Sequence, residues 1–342
     1  MSQTTGRVMA VLLNYKTAEM SIDALHNLRR VMRDIPGEVL VVDNDSRDGS
    51  YEKLAQAIDE IDISDGLPAC RVVQSGHNGG YGYGNNVGIR MALADPDIDF
   101  IYILNSDAFP NDTAVSKLRD FMLATPDAGF AGSHLHGEDG EPHFTQFRFP
   151  SYLSEFEGYA GAGPITRLLK RHQVPIFGLS DNEPSEVGWI AGASLIVRRE
   201  VFEEIGVFDE NFFLYFEEVD LCRRALKKGW KTYYVPTSRV VHLGSISTGM
   251  TKWTRIPEYW LNSRLYYYNK NYGKPYTVLA TLAAIAGCSI ARFRQALGGP
   301  KVSGPSHFLR DLIGHFVKNI WQPMLPSRCS VEPSAETVEY RS

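Results

Sequence analysis

Three clusters of acidic and amide side chains follow strand-like runs in this sequence. The first, Asp43-Asn44-Asp-Ser46, combines short carboxylate, amide and hydroxyl groups. Such groups can hydrogen-bond the edge of a nucleobase or ribose, and they can equally form a turn that caps the next helix. The residues alone leave both interpretations open.

The second cluster, Asn105-Ser106-Asp107, comes directly after the apolar run 100–104. A lone Asp at a strand end is often a cap or a turn residue. A carboxylate in this place can also hold a divalent cation against a diphosphate, because Mg²⁺ binds through one or two carboxylates and the phosphate oxygens of a substrate.

The third cluster, Glu217-Glu218-Val-Asp220, begins a predicted helix after the aromatic run 212–216. Carboxylates in a first helical turn interact favourably with the helix dipole, so these residues can be explained by helix stability alone. Partial burial among aromatic rings would raise the pKa of a carboxyl group and make it a better base near neutrality.

A glycine-rich segment, residues 77–86, contains Asn78, Gly80 and Asn85. It matches neither the GxGxxG fingerprint nor the GxxxxGK[ST] phosphate loop. Its glycines allow the backbone to approach a bound molecule closely.

The elements before these clusters must position them. Strand-like and helix-like patterns alternate over the first 135 residues. The predicted strands are 8–15, 38–42, 71–74 and 100–104, and the predicted helices are 17–32, 48–58 and one through Ile89 and Leu93. This alternation predicts a parallel α/β sheet with its ligands at the carboxyl ends of the strands.

Beyond residue 135 the rhythm changes. Residues 136–187 are predicted to form an irregular insertion over the site. Further predictions are a strand at 189–197, helices at 200–205 and 218–228, a strand at 232–235 and a helical tail from 255. We therefore expect a catalytic domain at 1–250 and a helical extension at 251–342.

In their order and spacing, the motifs resemble family 2 of the inverting glycosyltransferases, and more narrowly the rhamnosyltransferase-like branch that builds bacterial polysaccharides. The motifs are Asn14-Tyr15, Asp43-Asn44-x-Ser46, Asn78-x-Gly80, Leu104-Asn-Ser-Asp107, Gly192-Ala193-Ser and Phe208-Asp-Glu…Phe216-Glu-Glu-x-Asp-Leu-Cys-Arg-Arg224. The resemblance covers about residues 7–245. It implies the GT-A fold, a Rossmann-like, mostly parallel α/β sheet flanked by helices, here with a helical, basic C-terminal extension. It also implies a nucleotide-sugar donor, a divalent metal (Mg²⁺ or Mn²⁺) and direct displacement at the anomeric carbon.

The resemblance assigns roles by position. Asp43 would contact the nucleotide base and Asn78 the nucleoside or sugar-phosphate. Asp107 is the remaining carboxylate of the DxD motif, whose first position is Asn105 here. The full predicted nucleotide-sugar-binding set is Asn14, Tyr15, Asp43, Asn44, Ser46, Asn78, Gly80, Asn85, Asn105, Ser106, Asp107, Gly192 and Ala193.

The catalytic base implied by the resemblance is Glu218, with Glu217 and Asp220 as the other candidates. His242 matches a histidine that can complete the metal shell with Asp107 in related enzymes. A structural histidine at a strand end is the alternative for His242.

The resemblance favours L-rhamnose from dTDP-L-rhamnose as the donor sugar, with a UDP-hexose or UDP-galactofuranose as the alternative. A nucleotidyltransferase would need a basic, glycine-rich phosphate loop after the first strand, where this chain has Asn14-Tyr-Lys-Thr17. A non-catalytic sugar-binding module would have no use for the acidic run 217–220.

Composition narrows the setting. The chain has 342 residues and a net charge of −5, but residues 1–223 hold 18 basic and 35 acidic residues, whereas 224–342 hold 17 and 5. An acidic body argues against nucleic-acid binding. The four cysteines, Cys70, Cys222, Cys288 and Cys329, form no CxxC pair, which favours a reducing cytoplasm.

The C-terminal part mixes basic residues with aromatic ones, a combination suited to lipid headgroups. Its apolar run 278–291 is shorter than the ~20 residues of a spanning helix. We expect it to lie at a membrane surface or to pack on the catalytic domain. The sequence thus predicts a peripheral enzyme on the cytoplasmic membrane face with a glycan or polyprenyl-diphosphate-linked acceptor, and a homodimer stays open.

Overall fold

The computed structural model describes residues 5–61, 66–244, 253–301 and 304–322. The expected domain boundary at 250, the end of the extension and Cys329 lie outside these residues. The strands are β1 Val8–Asn14, β2 Gly37–Asp43, β3 Ala69–Gln74, β4 Phe100–Asn105, β5 Ala108–Pro110, β6 Ala128–His136, β7 Gln146–Phe147, β8 Ser185–Val187, β9 Trp189–Ile190, β10 Ser194–Arg198 and β11 Lys231–His242. The helices are α1 Ala18–Val31, α2 Ser50–Asp59, α3 Tyr81–Ala94, α4 Ala114–Ala124, α5 Tyr152–Ala160, α6 Gly163–Leu168, α7 Arg199–Ile205, α8 Glu217–Leu226, α9 Glu258–Tyr272, α10 Lys274–Ala296 and α11 Phe308–Asn319.

The central sheet has the order β3-β2-β1-β4-β10-β6-β11-β5, and β8 pairs with β11. Strands β1 to β4 are parallel to one another, whereas β10 runs antiparallel between β4 and β6. Because β10 is reversed, its first residue, Ser194, lies opposite Leu104 near the carboxyl end of β4. The start of β10 and the ends of β1 to β4 therefore share one edge of the sheet.

The sheet is buried on both faces, which explains the uninterrupted apolar runs of its strands. In β1, Val8, Ala10 and Leu12 belong to one hydrophobic core, and Met9 and Val11 belong to the core on the other face. The predicted first four strands and the helices between them are confirmed, with boundaries shifted by one or two residues.

Three segments differ from the prediction. Segment 136–187 contains α5, α6 and a 3-10 turn, so it holds more regular structure than its glycine and proline content indicates. The strand predicted at 189–197 is divided into β9 and β10 by residues 191–193. Strand β11 continues to His242, because its second half pairs with β5 and with the end of β6.

The C-terminal helices pack on the rest of the chain. Helix α10 is 23 residues long, and its small side chains Ala280, Ala284 and Gly287 are buried. A Cβ on Gly287 would lie 2.6 Å from the carbonyl oxygen of Phe156 in α5, so the two helices are in close contact. Buried Arg264 of α9 forms an ion pair with Glu155 of α5 at 2.8 Å. The extension thus rests on the predicted insertion.

Candidate active site

The loops after β1 and β2 are joined by one buried hydrogen-bond cluster. The Asn14 side chain donates to the Asp43 carboxylate (2.7 Å), and the Ser46 hydroxyl donates to the same oxygen (2.5 Å). The Ser46 hydroxyl also accepts the Lys16 backbone N–H at 2.9 Å. Asp43 and Asn14 are both 0% exposed. In this arrangement Asp43 organises the two loops.

The side chain of Asn44 connects the second loop to the glycine-rich segment. Its amide donates to the side-chain oxygen of Asn78 (3.0 Å) and to the carbonyl oxygen of Gly80 (3.1 Å). The Asn44 side-chain oxygen is buried without a hydrogen-bond partner, and so is that of Asn85. These two unsatisfied acceptors, one in the loop after β2 and one at the start of α3, leave hydrogen-bonding capacity for a ligand.

The backbone of the site loops is unusual. Among the described residues, the non-glycine residues with positive φ are Lys16, Asp45, Arg47, Tyr215 and Phe216. They lie in the loop after β1, the loop after β2 and the segment before α8. Such conformations cost free energy and are typical of functional sites.

A concave pocket of about 350 Å³ lies beside Asp43. Its lining residues are Asp43, Arg47, Gly49, Ser50, Tyr51, Glu52 and Gln74. Because Asp43 and Gln74 end β2 and β3, the pocket is at the ligand-binding edge of the sheet. A larger cavity of about 620 Å³ is lined by residues of α1, of α2 and of the segment just after α2, and it does not include the predicted site residues.

Asp107 and His242 lie together at the end of β4 and β11. The His242 Nε2 atom is 3.3 Å from the Asp107 Oδ1 atom, and Ala108 pairs with His242 in the sheet. Neighbouring ligands of an octahedral ion bound at ~2.1 Å are ~3 Å apart, so this pair fits a shared divalent cation. Within the described parts of the chain, no group of three or more potential ligands is present.

His143 is a further histidine at this edge, and none of the sequence motifs indicated it. Its ring centre is 5.9 Å from that of His242. Burial, followed by the nearby His242, lowers the pKa of His143, which favours its neutral form. Its position depends on a backbone hydrogen bond from His143 to Leu135 at the end of β6.

Glu217 and Glu218 begin α8 and have different surroundings. Glu217 is 2% exposed, and its Oε2 atom has no hydrogen-bond partner. Burial, and then the charge of Glu218, raise the pKa of Glu217 well above its usual value of 4.5. Burial also raises the pKa of Glu218, and the backbone N–H groups of Glu218 and Gly192 partly oppose this rise. Glu218 is the more exposed of the two.

Gly192 lies between Glu218 and Tyr81, a tyrosine that was not among the predicted site residues. The Tyr81 hydroxyl donates to the Gly192 carbonyl oxygen at 2.8 Å, and the Gly192 N–H bonds to the Glu218 carboxylate. A Cβ on Gly192 would lie 2.5 Å from the Tyr81 hydroxyl and 3.2 Å from Glu218 Cγ. Only glycine therefore allows this close contact. Adjacent Ala193 is buried, and its carbonyl accepts the N–H of Asn105 at 3.1 Å.

Asp220 is 0% exposed and is engaged in ion pairs. One carboxylate oxygen is 2.8 Å from Arg224 and 2.7 Å from Lys270 of α9, and the other accepts from Asn271 at 3.1 Å. These contacts give Asp220 a positioning role between α8 and α9. The structure brings Glu217 and Glu218 to the site and turns Asp220 toward the extension.

The contacts of the remaining predicted residues do not point to a particular role for each. Ser106 is buried and accepts a hydrogen bond from Thr17 at 3.0 Å. Tyr15 is partly buried, with the Lys16 ammonium 5.3 Å from its ring centre. Asn85 donates to the Tyr81 carbonyl within α3 at 3.0 Å.

Comparison with known proteins identifies relatives of this chain. One relative is N-acetylglucosaminyl-diphospho-decaprenol L-rhamnosyltransferase of Mycobacterium tuberculosis, which is 31% identical over 228 residues, or 63% of this chain and 69% of the relative. Rhamnosyltransferase WbbL of Escherichia coli is 26% identical over 172 residues, or 48% of this chain and 61% of WbbL.

Solved structures share the fold. A mannosyltransferase of Pyrobaculum calidifontis, in complex with GDP-Man and Mn²⁺, matches 92% of this chain and 87% of its own with a TM-score of 0.53 and 16% identity. GalNAc-T7 with UDP, GalNAc and Mn²⁺ matches 92% of this chain and 57% of its own with a TM-score of 0.53 and 14% identity. The expected GT-A fold is therefore confirmed.

The motifs described above lie mostly within one family model. Its description is glycosyl transferase family 2, and it matches residues 11–206, from β1 to the end of α7. With more than half of the chain matched and the polar clusters gathered at one edge of a GT-A sheet, this protein belongs to glycosyl transferase family 2.

Proposed function

We propose that this glycosyltransferase transfers L-rhamnose from dTDP-L-rhamnose to a glycan or lipid-linked acceptor in cell-surface polysaccharide synthesis. The observation that carries the proposal is Glu218, a carboxylate of raised pKa at the sheet edge, held by the Gly192 N–H. Support for the sugar comes from the relatives, three of which are named for rhamnosyl transfer: the mycobacterial enzyme, WbbL and dTDP-rhamnosyl transferase RfbF of Shigella flexneri.

The reaction would be a single inverting displacement. Glu218 removes the proton of the acceptor hydroxyl while that oxygen attacks the anomeric carbon and the bond to the diphosphate breaks. A base with a raised pKa retains more driving force for this proton transfer. Glu217 keeps its own proton because burial and the charge of Glu218 oppose its ionisation.

The donor would bind across the carboxyl ends of β1 to β4. The pocket beside Asp43 would take the nucleoside, and Asn44, Asn78 and Gly80 would line the path to the sugar-phosphate. Asp107 and His242 would hold Mg²⁺ or Mn²⁺, with donor phosphate oxygens and water completing the shell. When bound, the ion would offset negative charge on the departing diphosphate.

The donor is tested by measuring thermal stabilisation and turnover with dTDP-L-rhamnose, UDP-glucose and UDP-galactofuranose in the presence of Mn²⁺. We expect stabilisation and release of dTDP with dTDP-L-rhamnose. Stabilisation by UDP-sugars alone would assign a different donor. Release of pyrophosphate in place of a nucleoside diphosphate would contradict glycosyl transfer.

We also propose that the extension contacts the cytoplasmic face of a membrane. Helix α10 is long and apolar enough to cross a membrane by length and composition, yet 39% of its most apolar window is buried in the protein. Its exposed large side chains are Leu279 (45%), Leu282 (54%) and Phe293 (66%). At 100° per residue these fall within ~60° of one another, on one face of the helix.

Helix α11 and the residues just after it expose a second apolar row. Ile313, Val317 and Trp321 follow at intervals of four residues and are 38%, 65% and 83% exposed. Basic residues accompany both rows, namely Lys274, Arg292, Lys301, Arg310 and Lys318. Apolar rows flanked by cations suit an anionic lipid surface.

The membrane contact is tested by vesicle sedimentation with phosphatidylglycerol-containing liposomes. Leu282→Glu and Phe293→Glu should each reduce the bound fraction without lowering the melting temperature. Leu123→Glu in α4, where Leu123 is 41% exposed, is the matched control. Equal sedimentation of all three variants and the wild type would exclude this face as the membrane contact.

A further inference from the structure

Four aromatic side chains form a partly exposed group next to the candidate base. This aromatic patch consists of Phe213, Tyr215, Trp253 and Tyr259. The Tyr215 and Tyr259 rings are nearly parallel, with an interplanar angle of 14° and centroids 6.3 Å apart. Trp253 lies edge-on to both, at 5.9 and 6.2 Å, and Phe213 is 5.7 Å from Tyr259. Two of the rings precede α8, and the other two come from the start of the extension.

The aromatic patch is distinct from the hydrophobic cores. Phe212 precedes Phe213 in the sequence, and Tyr267 lies on α9 with Tyr259. Both Phe212 and Tyr267 are 0% exposed and belong to a core cluster. Among the described residues, the core clusters include none of the four patch rings. Large rings gathered outside a core, yet partly accessible, are typical of a ligand-binding surface.

Backbone contacts fix the aromatic patch relative to the carboxylates. The Tyr215 N–H bonds to the Glu217 carboxylate. The Phe213 carbonyl accepts the N–H of Tyr81 at 3.0 Å, and the Leu214 carbonyl accepts the hydroxyl of Ser263 at 3.0 Å. The segment therefore cannot shift without disturbing both α3 and α9.

The same segment holds an unfavourable backbone conformation. Tyr215 and Phe216 have φ values of 69° and 71°, consecutive left-handed residues without glycine. Strain of this kind persists where the surrounding structure imposes it for a function. Its effect here is to place the Tyr215 ring against the extension while Glu217 and Glu218 start α8.

We propose that the aromatic patch binds a pyranose ring of the acceptor and presents its hydroxyl group to Glu218. The C–H-rich face of a pyranose packs on the electron-rich face of an aromatic ring, and polar groups nearby fix its orientation. This assignment rests on the proposed glycosyl transfer and adds that the extension completes the acceptor site.

The test uses Trp253→Ala and Tyr259→Ala in the full chain, because both rings lie outside the segment that bears the base. The probe is a synthetic N-acetylglucosaminyl diphosphate with a short alkyl chain. We expect the acceptor KM to rise about tenfold or more in each variant, with the donor KM and the slow hydrolysis of donor unchanged. Trp253→Phe and Tyr259→Phe should remain within about threefold of the wild type, because they keep an aromatic face.

Tyr233→Ala is the matched control, because Tyr233 pairs edge-on with Phe121 at 5.1 Å near the start of β11. An acceptor KM that is unchanged in both alanine variants overturns the assignment, and so does an equal rise in donor KM. Calorimetry of probe binding separates the two proposals. If the wild type binds the probe, the alanine variants bind it more weakly and no sugar is transferred, the proposed function alone is refuted. If the wild type neither binds nor uses the probe, the patch assignment is refuted as well.

Discussion

Exchanging each of two adjacent carboxylates for an amide distinguishes the base from its neighbour. Glu218→Gln should lower kcat about 10²–10⁴-fold, the usual contribution of a general base. This loss corresponds to ~2.7–5.5 kcal/mol of activation free energy. Glu217→Gln should stay within about tenfold of the wild type, because an amide resembles the protonated carboxyl that burial favours at this position.

The pH dependence adds a second criterion. The two carboxyls titrate as a pair, and the charge of Glu218 raises the pKa of Glu217. Glu218 therefore ionises first, and the acid limb of kcat/KM reports it. Glu217→Gln should leave that limb in place, whereas Glu218→Gln should remove it.

Exchange of Glu217 should also change the free energy of unfolding, and in this case the variant should be the more stable protein at alkaline pH. Because the folded-state pKa of Glu217 lies above 4.5, the folded protein retains a proton that the unfolded chain releases. The stability that this proton contributes is full below about pH 4.5. It is lost as the pH rises through the folded pKa, at ~1.4 kcal/mol for each pH unit that separates the folded pKa from the unfolded one. Glu217→Gln should thus melt above the wild type at pH 8 and match it near pH 4.

The measurements are donor turnover and differential scanning calorimetry from pH 4 to 9. A stabilisation of ~1 kcal/mol would raise the melting temperature by roughly 2–4 °C, the value for 150–250 residues. If Glu217→Gln were as inactive as Glu218→Gln, the division of roles would be refuted. A lower melting temperature for Glu217→Gln at pH 8 would refute the burial argument.

Three further changes test the site and its support. We expect tight Mn²⁺ binding only when the donor is present, and Asp107→Asn should abolish it. Calorimetry that showed tight Mn²⁺ binding to the donor-free wild type would contradict a site with few protein ligands. Gly80→Ala should destabilise the fold by more than ~2 kcal/mol in urea unfolding, because a Cβ would lie 1.8 Å from the Phe213 carbonyl oxygen. Gly76→Ala is the control. A Cβ there has nothing within 4 Å, so the φ of +86° should cost only ~1 kcal/mol of strain. Lys270→Met should lower the free energy of unfolding in urea by ~1.5–3 kcal/mol, because the buried Asp220 loses a charged partner. An unchanged urea midpoint would show that Arg224 alone suffices as the partner of Asp220.

Much of the N-terminal half of the sheet could be predicted because its signals are local. The run from Val8 to Leu13 is apolar because both faces of β1 are buried. Asp43 is the last residue of β2 and Asp107 follows β4, so both lie at the edge where the parallel strands end. The contacts of Tyr81 and Lys270 could not be predicted in this way. Tyr81 meets Gly192 across 111 residues, and Lys270 meets Asp220 across 50, so no local pattern indicates either contact.

These distant contacts change how the C-terminal extension should be understood. Lys270 bridges Asp209 and Asp220, and Ser263 holds the carbonyl of Leu214, so α9 supports the segment that carries Glu217 and Glu218 from behind. Helix α10 in turn supports α9, because Thr281 accepts a hydrogen bond from buried Arg264 at 3.2 Å. A truncation at residue 276 would remove that support along with the exposed apolar rows, and a loss of activity would not separate anchoring from catalysis. Surface substitutions such as Leu282→Glu separate them, since they alter the exposed apolar row and leave the buried contacts of α9 intact.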